Sequence, residues 1–150
     1  MKFICKYNDR IVQGKLVYYE TGEFAFFPSK NADIIILLDY LCLGFNSEHM
    51  IARQVWGLHP CKNWIRKHLQ HPNASKGELY LDTNVEPGSV IRLEGIGNIT
   101  YYDEQSGWIC IGSPFCKDCE KIEFATNTIV AIEHNKLQSL WLKPEFEKSI

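Results

Sequence analysis

Two cysteines three residues apart, Cys116 and Cys119 in the stretch PFCKDCE, form the only CxxC of the chain. A structural zinc takes four Cys or His ligands at about 2.0–2.3 Å, and one CxxC knuckle supplies two of them. The second pair must come from elsewhere in the sequence. Cys110 and His134 are the nearest donors in the strand-rich half, and His59 with Cys61, or His68 with His71, are the donors in the other half. Cys116 and Cys119 are thus the candidate metal residues and zinc the candidate ion. A redox pair needs the motif at a helix N-terminus, where the helix dipole lowers the pKa of the first thiol. Here CKDC stands between the strand-like runs WICIG and KIEFA, with Asp118 and Glu120 opposing a thiolate. A polar hairpin loop is the simplest reading.

The second constellation is the segment 47–70, within SEHMIARQVWGLHPCKNWIRKHLQH. Two short amphipathic runs separated by Gly57 have the layout of a helix-turn-helix, whose second helix would offer Lys62, Asn63, Arg66, Lys67 and His68 to phosphates or base edges. Pro60 in the connection and Trp64 in the middle of the run count against it. The third constellation is aromatic. Adjacent pairs such as Tyr101-Tyr102 point to opposite faces of a strand, so one member can line a groove or a partner surface. Tyr102, Trp108, Trp56 and Trp64, joined by Arg66 from the basic run, are the candidate ligand or partner residues. No GxSxG, GxxxxGK[ST] or HExxH motif is present, and Gly95-Ile96-Gly97 is a GxG fragment best read as a turn. A Cys–His nucleophile, Cys61 with His59 or His68, would have to be assembled in space.

The elements that position these residues are read from apolar periodicity. KFICKY, IVQGKLVYY and FAFF, bounded by Asn, Asp and Gly, predict an N-terminal strand meander. Ile34, Leu37, Leu38, Leu41 and Phe45 fall on one helical stripe, so a helix is expected over 33–45. A second is expected from Ser47 to Trp56 and a third from Cys61 to about Gln70, after Pro60. Residues 72–75 are the clearest linker. Beyond it GELYLD, SVIRLEG, NITYYD, WICIG, KIEFA, IVAIEH and LQSLWLKP predict an antiparallel sheet curled as a barrel or sandwich. The expected fold class is therefore α+β: N-terminal meander, two or three central helices, C-terminal sheet. It forms a single domain over 1–150, with a strand/helix half at 1–72 and a strand-rich half at 77–143. No repeat of fixed period stands out.

Composition bounds the function. With 150 residues, 45% hydrophobic and 23% charged, the chain can build its own core. Net charge is −2, with ten Lys/Arg against six Asp/Glu up to residue 76 and six against twelve beyond it. That asymmetry is too mild to announce a nucleic-acid or membrane partner. Lys6 interrupts the apolar start before a signal-peptide core can form, and the longest aliphatic run, 34–38, is far below the roughly 18 residues of a membrane span. The expectation is a cytoplasmic protein with reduced thiols. With no catalytic motif to anchor an enzyme, the sequence points to a non-enzymatic binding or interaction module, a protein partner being preferred over a small ligand. The alternatives are a DNA-binding regulator using 47–70 and a zinc-stabilised domain using 116–119.

Overall fold

The structure, a computed structural model, describes residues 1–96 and 99–148; Gly97 of the GxG fragment lies outside them. In chain order its strands are β1 (Phe3–Tyr7), β2 (Lys15–Tyr19), β3 (Glu23–Phe27), β4 (Ile34–Leu38), β5 (Leu41–Asn46), β6 (Ile51–Leu58), β7 (Ile65–Arg66) and β8 (Ser75–Leu81). There follow β9 (Val90–Arg92), β10 (Thr100–Tyr102), β11 (Ile109–Gly112), β12 (Glu120–Ala125), β13 (Thr128–Glu133), β14 (Lys136–Leu142) and β15 (Glu145–Glu147). These fifteen strands of the described residues belong to one sheet that curls into a half-barrel. Among the described residues the only helical element is a three-residue 3-10 turn, Cys61–Asn63, and no helix is long and apolar enough to cross a membrane.

The fold is therefore all-β, and the expected α+β class with central helices is overturned. The stretch read as a helix over 33–45 is the β4–β5 hairpin, closed by Asp39-Tyr40, with Asp39 at φ 56°. Burial alternates along β4: Ile34, Ile36 and Leu38 are buried while Ile35 and Leu37 are half-buried. A run this densely apolar satisfies helical spacing and strand alternation together, and three consecutive β-branched isoleucines tip the backbone toward the strand. The expected helix over 47–56 is mostly β6, paired with β5, and the third is an extended segment after the short turn. The helix-turn-helix reading of 47–70 falls with them, because Lys62, Asn63, Arg66, Lys67 and His68 share no helix face.

The pairing reveals a duplication. Strands β2, β3, β6, β5 and β4 lie side by side in that order, and so do β10, β11, β14, β13 and β12, all antiparallel. The registers correspond across the units, apart from a bulge between Glu123 and Ala125 in β12 that β4 lacks. Tyr18 opposite Phe24 matches Tyr102 opposite Ile109, and Leu43 opposite Val55 matches Val130 opposite Leu140. Trp56 opposite Cys42 matches Trp141 opposite Ile129. Each unit has a register irregularity at the same place, between Gly44 and Phe45 in one and between Ala131 and Ile132 in the other.

The two units are interlocked at their edges. The strand after the first unit, β7, pairs in parallel with the first strand of the second, β10; the strand after the second, β15, pairs in parallel with β2. On the opposite edges β9 runs parallel to β4, and Val12 bridges in parallel to Ala125. Between the units β1 and β8 form an antiparallel pair. Phe3 N donates to Asn135 O at 2.8 Å as Leu81 N donates to Met50 O at 2.9 Å, the same contact made once from each side. A pseudo-twofold relation joins the halves, and no periodicity advertised it, because connections of unequal length separate equivalent strands whose residues mostly differ.

One core fills the interior, and its members come from both units: Phe24, Phe26, Ile36, Leu43, Phe45 and Val55 with Ile109, Ile111, Ile122, Val130, Ile132 and Leu140. The β1–β8 pair closes tightly over it. A side chain at Gly77 would overlap the Lys6 carbonyl oxygen and Ile122 Cδ1. Gly77→Ala is accordingly expected to destabilise the protein by about 2–3 kcal/mol through overpacking. A urea midpoint equal to that of the parent chain would show that β1 and β8 do not approach this closely.

Candidate functional site

The edge exchange places residues from both units around one cleft of about 460 Å³. Strand β2 contributes Tyr18, β10 Tyr102, β15 Phe146, and the segment between β6 and β7 Cys61 and Trp64. Four rings close a circuit: Tyr18 to Trp64 at 5.0 Å between centroids, Trp64 to Tyr102 at 5.9 Å, Tyr102 to Phe146 at 5.7 Å, and Phe146 back to Tyr18 at 5.8 Å. Such tilted and edge contacts suit the ring quadrupoles. Arg66, Glu20, Glu147 and Lys148 complete the lining.

The wall beneath is fixed by hydrogen bonds across the seam. The Tyr18 hydroxyl donates to His59 O at 2.8 Å, and His59 Nε2 meets Thr100 Oγ1 at 2.8 Å, at the start of β10. Lys67 N donates to Tyr102 O at 3.0 Å, extending the β7–β10 pairing. Burial pushes the Tyr18 phenol above its ordinary pKa, and the adjacent Cys61 thiol adds to this, so Tyr18 stays a neutral donor. Trp64 Nε1 is buried with no hydrogen-bond partner among the described residues. Asp103, itself buried, takes Leu69 N at 2.9 Å and Gln105 N at 3.0 Å, and these backbone donors hold its carboxyl below the usual range. It ties the chain leaving the cleft to the β10–β11 turn.

Of the five residues singled out from the sequence, the structure brings three together: Trp64, Arg66 and Tyr102. Trp108 is elsewhere, 4% exposed in a satellite cluster with Leu69, Cys110, Ile129 and Trp141. Trp56 lies on the outer face of the first unit, lining a separate groove with Phe27, Lys30 and Ala32. Sequence reasoning missed Phe146, Glu20 and Glu147 as cleft residues. The available signal was Glu145-Phe146-Glu147, a short polar–apolar–polar alternation of the kind an edge strand carries.

The CxxC loop connects β11 to β12, which pair with β14 and β13 and not with each other, so it is a crossover and not a hairpin turn. Cys116 and Cys119 are joined as a disulfide, with Cys116 Sγ 3.2 Å from Glu133 Oε2. Among the described residues, Cys116, Cys119 and Glu133 are the one group of three or more potential metal donors that converges, and none of the His or other Cys candidates joins it. His59 does not form the suggested pair with Cys61, since its Nε2 faces Thr100 while the thiol faces Tyr18.

Fold and site together define an all-β, internally duplicated domain with an aromatic cleft at the seam of its halves. Set against family models, curated proteins and solved structures, the chain matches none.

Two measurements follow from this chemistry. Burial depresses the His59 pKa below 6.5, with Asp39 opposing the shift weakly. The unfolded chain therefore takes up this proton at higher pH than the folded one, and stability is complete above 6.5 and lost as pH falls below it. Urea melts should show a decline of at most about 1.4 kcal/mol per pH unit below that point, flattened in His59→Gln, which keeps a group for Thr100. An identical decline in the variant would assign it to other groups. Thiol titration of the unfolded, unreduced protein should find the four free cysteines Cys5, Cys42, Cys61 and Cys110. Recovery of all six thiols without reductant would refute the disulfide.

Proposed function

We propose that this chain is a non-catalytic binding module that takes a protein partner at the cleft formed by Tyr18, Trp64, Tyr102 and Phe146. The observation that carries the reading is the closed circuit of four rings, drawn from elements of both halves and open to solvent at Phe146, which is 49% exposed. Tyr, Trp and Arg are the residues in which binding energy concentrates at protein interfaces, because they bring large rigid area at low entropic cost. Arg66 at the rim adds the third type. The cytoplasm is the proposed location on the four free cysteines Cys5, Cys42, Cys61 and Cys110, whereas the Cys116–Cys119 disulfide departs from the expectation of fully reduced thiols.

A second reading rests on Glu133: once the Cys116–Cys119 bond is reduced, two thiolates and this carboxylate offer zinc three ligands. Zinc that co-purifies under reducing conditions and is lost on Glu133→Gln would support it; metal-free reduced protein of unchanged stability would dispose of it.

The cleft reading is tested by affinity capture from cell extract with the parent chain, with Phe146→Ser plus Arg66→Ala, and with Trp56→Ala as the remote control. The captured partner should be lost with the first variant and retained with the second. Capture that ignores the cleft variant would remove the cleft from function.

A further inference from the structure

The duplication allows one side of the cleft to be compared with the other. Tyr18 and Tyr102 are equivalent, so the residues paired with them across the parallel edges, Phe146 and Arg66, are equivalent as well. Two residues beyond each tyrosine stands a glutamate, Glu20 in the first unit and Glu104 in the second. In the second unit the Arg66 guanidinium is paired with Glu104. In the first unit Phe146 stands in the arginine's place. Glu20 lines the cleft there with no ion-pair partner within 4.0 Å among the described residues. The other lining carboxylate, Glu147, is already engaged by Lys15 at 3.0 Å, and Lys148 lines the cleft without pairing to either. One half thus pairs a guanidinium with the carboxylate two residues beyond its cleft tyrosine; in the other half that carboxylate has no cation, and a ring stands at the arginine's register position.

We infer that the cleft takes the guanidinium of an arginine side chain presented by the protein partner. The cation pairs with Glu20 and lies against the rings of Tyr18 and Phe146, giving Glu20 the guanidinium that Arg66 gives Glu104 in the other half. A guanidinium matches both parts of such a site, since its planar fork meets a carboxylate and its face stacks on aromatic rings. The inference rests on the cleft being the binding site and adds the chemistry of what enters it.

The test uses the full chain and two capped tripeptides, acetyl-Gly-Arg-Gly-amide and its neutral citrulline counterpart, titrated while backbone amide resonances are followed by NMR. The arginine peptide should shift the resonances of Tyr18, Glu20 and Phe146 and bind about tenfold tighter than the citrulline peptide. Glu20→Gln should erase that difference. Phe146→Arg, which gives the first unit its own guanidinium, should also abolish arginine-peptide binding while leaving the remaining resonances in place. Equal binding of the two peptides, absence of any shift, or discrimination that survives Glu20→Gln would overturn the inference. Methylguanidinium binding as tightly as the peptide would assign the site to a free small cation and overturn the partner source. Partner capture that still depends on the cleft, with no arginine preference, would leave the binding reading standing and remove only the guanidinium.

Discussion

Everything about this molecule depends on the reciprocal exchange of edge strands between its two halves. An unpaired edge presents a row of backbone donors and acceptors that must be paired, covered or left to water. Each five-stranded unit here receives on one edge the strand that follows the other unit, β15 on β2 and β7 on β10. On its other edge it receives the segment that precedes the other unit, β9 on β4 and Val12 beside Ala125. Neither unit has its edges completed by its own chain alone. The shared core follows, because sheets interlocked in this way turn their apolar faces toward one interior.

The cleft is a consequence of the same exchange. Tyr18 and Tyr102 sit on the two receiving strands, and the donated strands bring Phe146 and Arg66 directly beside them. The twofold relation is broken where chemistry is concentrated. Arg66 faces Glu104 on one side; Phe146 stands by Glu20 on the other. It is also broken on the outer faces. Leu69 and Ala74, in the segment joining the units, cover Trp108 and Trp141 of the second unit, and Asp103 secures that segment through Leu69 N. The corresponding face of the first unit, with Trp56, remains an open groove.

Parts of this were legible in the residues. The N-terminal strands and those after residue 76 were, because alternation bounded by Gly, Asn and Pro is a local property. Ile34 to Leu38 was not, since a run with no polar residue carries no phase to separate helix from strand. The segment around Trp64 failed for a related reason: its apolar residues fit a helical stripe, yet their burial is determined by contact with Tyr18 and Tyr102, remote in sequence. Trp108 and Trp64 are the same residue type, each directly after a polar turn and directly before an isoleucine. Only the path of the joining segment makes one a covered core residue and the other a cleft wall.

Composition and local pattern alone established a chain able to build its own core, the place of most of its strands, and aromatic side chains with Arg66 as its most distinctive chemistry. Those are properties of composition and of short-range alternation. It took the folded molecule to show that no α-helix intervenes among the described residues and that two units are duplicated and interlocked. That fold also selected Trp64, Arg66 and Tyr102 from five candidates and joined them to Tyr18, Phe146 and Glu20. Strand pairing acts between residues far apart in the chain. Which edge β7 and β15 complete is settled by the free energy of closing the whole sheet, which no local window of residues records.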